Sequence, residues 1–426
     1  MKRISLLSIV SGLTLLAGIL LSGCGSGKSL NSTTTTTTNA ANSLSLTVGQ
    51  GTFANGYSNA PYATITICQP GSSNCTSLDH ILIDTGSSGL RILSTELPSG
   101  FTLPNATVTG GSLYECLPFL DSYTWGNVVN ADLELAGEKA SSLAVQMITS
   151  LTAPTTCSST IATAGSPAVT SEATLGARGI LGIGNFQADC GGYCAASPVQ
   201  SMDLYFACSS SAASSCSQAA VSVAKQVSNP VGLFASDNNG VIFDLPSVAA
   251  GGVSSVTGTL YFGIGTQSNN TPPSGLTVLN LDGLGDFVTT FQSNSMPFSF
   301  LDTGSNGFFF GTIDSSLKTS TGITGCNLGT SANPQYWYCP TSEASESATL
   351  TGAVAPVNST GVSFQVGNAQ NLLGGALSDL AGPNVTTVPH AATSFDWGLP
   401  FFFGRRVYVG LEGSSSSLGS GLYDAF

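Results

Sequence analysis

Two stretches decide the fold: Ile81-Leu82-Ile83-Asp84-Thr85-Gly86-Ser87-Ser88-Gly89 and Phe298-Ser299-Phe300-Leu301-Asp302-Thr303-Gly304-Ser305-Asn306-Gly307. Each is an apolar run that ends in the same tetrapeptide, Asp-Thr-Gly-Ser, and the two aspartates stand 218 positions apart. An apolar run of this length bounded by a turn signal reads as a buried strand. Glycine permits the tight path that follows it, and leaves backbone amides close to the carboxylate. The Thr and Ser hydroxyls are suited to hold the loop and orient the acid. One such tetrapeptide is weak evidence, and the bland reading is a pair of ordinary β-turns. Two copies in like strand contexts, one per half of the chain, point to a duplicated unit.

The rest of the sequence is short strands and turns. Ala63-Thr64-Ile65-Thr66-Ile67 alternates as a half-buried strand does. Gly179-Ile180-Leu181-Gly182-Ile183-Gly184 reads as a buried strand whose glycines allow close backbone approach. Val241 to Phe243, Thr259 to Gly263 and Val407 to Val409 add further strands, and Ser217 to Val227 is the best helix candidate. Charged residues make up 8% of the 426-residue chain against 51 glycines, which disfavours long surface helices and favours an all-β fold. The formal charge is −13 and the ten Lys and Arg are spread along the whole chain with no basic cluster, so binding to a phosphate backbone is not expected. No phosphate-cradling glycine loop precedes a helix, and no G-x-S-x-G elbow occurs.

The N-terminus reads as an export signal. Lys2 and Arg3 precede an apolar run from Ile4 to Leu21, and Leu21-Ser22-Gly23-Cys24 follows. The ending resembles a bacterial lipobox, which implies cleavage before Cys24 and lipidation of its thiol; an uncleaved membrane anchor is the alternative. Gly25 after the cysteine resembles an outer-membrane sorting signal. A Ser/Thr/Asn/Gly-rich stretch with six consecutive threonines then forms a tether. The expected division is a signal peptide over 1–23, a tether over 24–43, a first lobe over 44–230 and a second over 231–426.

With Cys24 set aside, ten cysteines remain and pair in order: Cys68 with Cys75, Cys116 with Cys157, Cys190 with Cys194, Cys208 with Cys216, and Cys326 with Cys339. Five local disulfides suit an oxidising compartment. Half a zinc site at Cys190 and Cys194 is the competing reading, but only His80 and His390 could complete it. His80 reads as a surface residue at a strand start. Asp282 and Asp286 read as solvated turn residues, lacking the acidic density of a calcium loop.

Over residues 44–426 the chain resembles the pepsin-like aspartic proteases, through the two Asp-Thr-Gly-Ser turns and the braces that follow them. Ile180 to Gly184 matches the family's first brace. Trp397 to Gly404 is the counterpart in the second half, interrupted by Leu-Pro. Gly285 to Phe291 resembles the strand ahead of the second turn. The resemblance implies a bilobal all-β fold with an interlobe cleft. It implies Asp84 and Asp302 as the catalytic pair, supported by Thr85, Gly86, Ser87, Thr303, Gly304 and Ser305. It further implies a monomeric endopeptidase acting on peptide or protein substrates without metal or cofactor. Two carboxylates face to face would share a proton, one activating water and the other polarising a carbonyl. The rival is a pepsin-fold binding or scaffold lipoprotein of the cell envelope; a carbohydrate-binding β-sandwich would keep the two turns far apart. The chain departs from the family in two places. The flap region, with Tyr123, Trp125 and Gly126, is shorter: either aromatic serves the flap, or both belong to the core. Arg91 stands where the family has an aromatic linked to the flap, and is expected either to lower the carboxylate pKa values or to point to solvent.

Overall fold

Fully apolar runs such as Ile81 to Ile83, solvent-excluded on both faces, need strand neighbours on either side rather than one wet face. The computed structural model, which describes residues 41–50, 57–119, 122–160, 167–196, 204–314, 316–330, 334–384 and 390–426, provides them. The signal segment, Cys24 and most of the tether lie outside the described residues. Those described are mainly strand, with three short α-helices at Thr155–Thr160, Glu172–Leu175 and Gly192–Ala196. Among them no helix is long and apolar enough to cross a membrane.

In the first half, strand Cys75–Asp84 runs parallel to Gly179–Ile183, placing Asp84 opposite Gly182. The same Gly179–Ile183 strand pairs antiparallel with Ser88–Leu93, which runs parallel to Glu138–Ile148. The second half repeats this order. Strand Asn294–Leu301 runs parallel to Phe395–Trp397, which pairs antiparallel with Phe308–Thr312, itself parallel to Ala381–Asn384. In both halves a brace strand is therefore inserted between the strand that enters the Asp turn and the strand that leaves it. The two halves are joined by hydrogen-bonded strands: Ser43–Gly49 pairs with Ser255–Phe262 over seven residue positions. The all-β arrangement expected from the sequence is the one observed, with the Asp-turn unit built once in each half.

The packing follows the sequence pattern closely in places. Ala63, Ile65 and Ile67 are buried while Thr64 and Thr66 are not. Around the second turn, Phe308, Phe310, Phe364, Phe395 and Trp397 form one aromatic cluster, with Phe395 stacked on Trp397 at 4.0 Å. All five predicted disulfides are formed, including Cys190–Cys194, which excludes those sulfurs from a zinc site.

Two local expectations are corrected. Ser217 to Val227 is not a helix: Cys216–Gln218 is a strand against Tyr205–Cys208, and Val223–Lys225 makes a single 3-10 turn. Tertiary bonds override local propensity here. The Cys208–Cys216 disulfide fixes the strand register, and the Gln226 amide donates to the carbonyls of Gly191 and Val221. The second-half brace is the strand Phe395–Trp397, and Leu399–Phe402 turns into a 3-10 segment where Pro400 removes a donor.

Candidate active site

The site begins with how each strand ends. Asp84 closes its strand, and the amide of Gly86 donates to Asp84 Oδ1 at 2.7 Å while Ser87 Oγ donates to Oδ2. The second turn repeats the pattern, with the Gly304 amide on Asp302 Oδ1 at 2.7 Å and Ser305 Oγ on Oδ2 at 2.9 Å. Ser305 differs from Ser87 in also facing Asp396 Oδ2 at 2.6 Å, from the second brace strand. A hydroxyl carries one proton, so Ser305 serves one of these two carboxylates at a time.

The turns grip one another across the two halves. Thr85 N donates to Thr303 Oγ1 at 3.0 Å, and Thr303 N donates to Thr85 Oγ1 at 2.9 Å. Each threonine hydroxyl then donates beneath the opposite aspartate, Thr303 to the Ile83 carbonyl at 2.8 Å and Thr85 to that of Leu301 at 3.3 Å. Each threonine thus supports the turn of the other half.

The grip brings the carboxylates together. A Cβ built on Gly86 would lie 2.7 Å from Asp302 Cγ, and one on Gly304 would lie 2.6 Å from Asp84 Oδ1. Only glycine fits at these two crossing points. Both aspartates are 0% exposed. Burial pushes the Asp84 carboxyl well above the ordinary carboxylate range, and the neighbouring Asp302 charge pushes it further; bonds from Ser87 and Gly86 pull the other way. Two carboxylates so placed hold one proton between them more readily than two negative charges.

The turns are also tied to residues that no sequence motif marks. Asn59 Nδ2 donates to the carbonyls of Asn306 and Leu377 at 2.7 and 2.8 Å, fastening a first-half loop to the second turn. A pocket beside the first turn is lined by Gly86, Ser87, Phe186, Asp189, Asp286 and Phe300. Asp286, expected as a solvated turn residue, is 0% exposed at that wall; only Asp282 behaves as a turn residue, accepting from the amides of Leu284 and Asp286. Among the described residues no group of three His, Cys, Asp or Glu side chains is arranged to hold a metal.

A chain with this duplicated turn geometry can be set beside known proteins. The family described as "Protein of unknown function (DUF3443)" matches residues 38–426. The chain belongs to that family. No curated protein matches it. Among solved structures, it is similar to an aspartic proteinase from Irpex lacteus, with 14% sequence identity and a TM-score of 0.48, over 90% of this chain and 96% of that one.

The remaining predicted site residues fall elsewhere. Trp125 is 2% exposed in a cluster with Cys116 and Cys157, stacked on Tyr114 at 5.2 Å and edge-on to Phe206 at 5.3 Å. That is a core position. Tyr123 is half-buried and pairs with Pro118 at the end of the hairpin formed by Gly111–Pro118 and Tyr123–Leu135. Gly126 lies further along the same strand, between Glu115 and Ile148. His80 is not at a strand start; it sits in an irregular stretch of Cys75–Asp84 with φ of 53°, its ring 5.5 Å from Tyr62. Arg91 takes neither of its expected positions. It is 0% exposed and paired with Glu115 and Asp189, and its sequence signal was a lone arginine inside the apolar run Leu90-Arg91-Ile92-Leu93.

Proposed function

We propose that the chain is an aspartic-type endopeptidase, with Asp84 and Asp302 as its acid–base pair. The observation that carries the reading is the reciprocal threonine grip, which sets the two carboxylates side by side. In this reading a water held between them is deprotonated by the ionised carboxylate as its oxygen attacks the peptide carbonyl carbon. The protonated carboxyl polarises the carbonyl oxygen. When the C–N bond breaks, the amine leaves with a proton from the pair, and the new carboxyl keeps the water's oxygen. Preorganised donors from Gly86, Ser87, Gly304 and Ser305 hold the pair in place throughout.

Export belongs to the same proposal. Five disulfides support an oxidising compartment, and Cys24 would carry the lipid that holds the protein at the envelope membrane.

One observation favours a second reading, a binding protein that keeps the fold without turnover: both carboxylates are fully withdrawn from solvent. Digestion of a peptide library at acidic pH by the wild type and by Asp302→Asn separates the two. The endopeptidase cleaves and its variant does not. A folded wild type that leaves the library intact supports the binding protein.

A further inference from the structure

Arg91 lies on the strand leaving the Asp84 turn, and its guanidinium is fully committed. Nη1 donates back to the Ser88 carbonyl at 2.8 Å, directly after the Ser87 that bonds Asp84. Nε and Nη2 form a two-pronged pair with Glu115 at 3.2 and 2.7 Å, and Nη2 also reaches Asp189 at 3.0 Å. Glu115 belongs to the hairpin strand Gly111–Pro118, and its backbone carbonyl is held by Gln146 at 2.9 Å. Asp189 accepts from the Tyr205 hydroxyl at 2.9 Å, and that hydroxyl in turn accepts from the Val227 amide at 2.7 Å. Arg91, Glu115, Gln146 and Tyr205 are each at most 1% exposed.

Such a cluster is a costly way to gain stability, because desolvating three charges consumes most of the attraction between them. It is a precise way to fix geometry, since a planar guanidinium sets direction as well as distance. What it fixes here is the backbone at Ser88 relative to the hairpin.

We propose that Arg91, braced by Glu115 and Asp189, is a positioning residue that couples the hairpin Gly111–Leu135 to the Asp84 turn. This rests on the endopeptidase reading for its effect on rate, though not for the mechanical coupling. A chain segment bound against the hairpin would be felt at Ser87 and hence at Asp84. Two carboxylates against one guanidinium also leave the cluster one negative charge in excess. Burial and the Glu115 charge push the Asp189 carboxyl well above the ordinary carboxylate range, while Arg91 and Tyr205 pull the other way.

The test uses the full disulfide-bonded protein in three forms: wild type, Arg91→Lys and Glu115→Gln. Lysine keeps the charge but loses the planar fork. Glutamine removes one charge, and so keeps the cluster foldable if the lysine variant does not fold. Amide hydrogen exchange is read over 86–91 and 111–117, and kcat and KM are read on a cleaved peptide, with active sites counted by a tight-binding statine-type peptide. The expected result is at least a tenfold faster exchange in both segments together, and a kcat lowered about tenfold with KM changed less than threefold. The shape of the pH profile should stay the same. Unchanged kcat per active site and unchanged exchange in a folded Glu115→Gln protein would overturn the proposal. If the wild type cleaves nothing, the endopeptidase reading fails, and joint loosening of the two segments still decides the coupling.

Discussion

Thr85 and Thr303 hold one another by exchange, each amide donating to the other's hydroxyl at 3.0 and 2.9 Å. Because the hydroxyls then donate to carbonyls one residue before the opposite aspartate, neither turn can be completed without the other half. The arrangement is nearly two-fold, but its arms are unequal. Thr303 reaches Ile83 at 2.8 Å, while Thr85 reaches Leu301 at 3.3 Å.

That inequality makes a prediction. Thr303→Val leaves the Thr85 amide and the Ile83 carbonyl buried without their bonds, at about 2–4 kcal/mol. Thr85→Val orphans the Thr303 amide and loses only the longer bond, at about 1–3 kcal/mol. Denaturant unfolding of the two variants should rank them in that order. Equal losses would mean that the longer bond matters as much as the shorter one.

Gly86 and Gly304 stand where the opposing carboxylate passes. An alanine at either position must push the pair apart. Gly86→Ala should lower stability by about 1–3 kcal/mol, as overpacking does, and reduce peptide cleavage at least a hundredfold. Gly137→Ala is a fair comparison: its nearest neighbour would be an Ala41 methyl at 3.6 Å, although its φ of 85° adds backbone strain. It should cost stability and leave the cleavage rate per folded molecule unchanged.

Stability should fall as pH rises through the range where buried acids ionise. Asp424, held by Asn185 at 3.2 Å where the first-half brace meets the C-terminal strand Tyr423–Ala425, is raised by burial from 3.8 to about 7. A group raised in the fold binds its proton more tightly there than in the unfolded chain. Its contribution is therefore complete below the ordinary carboxylate value and lost as pH climbs through about 7. The loss is on the order of 4 kcal/mol at most. Asp424→Asn should match the wild type in melting temperature near pH 4 and exceed it by several degrees at pH 8. Asp84→Asn should show the same sign, because the Asp84 carboxyl is raised as well. A wild type whose melting temperature rises from pH 4 to 8, with both variants parallel to it, would contradict this assignment.

Much of the site was legible in sequence because it is built from local pattern. Apolar runs into Asp84 and Asp302, glycine two residues later and hydroxyls around it are all encoded within ten residues. The disulfides were legible for the same reason, four of the five closing intervals of 4 to 13 residues. What escaped is non-local. Arg91 meets Glu115 across 24 positions and Asp189 across 98, and nothing near any of them marks the other two. The helix expected at 217–227 failed likewise, because a disulfide and a glutamine side chain outweigh propensity there. An aromatic beside a glycine fits both flap and core; stacking on Tyr114 and the edge-on contact with Phe206 put Trp125 in the core.

In the proposed reaction Asp84 and Asp302 act as one unit that adds water to a peptide bond. Digestion of a peptide library at acidic pH in water enriched in oxygen-18 tests it most directly, using purified wild type, Asp84→Asn and Asp302→Asn. One labelled oxygen is expected in each newly formed carboxyl within the first turnover, with no cleavage by either folded variant. Cleavage that persists in either variant, or a folded wild type that cuts nothing across the acidic range, would contradict it.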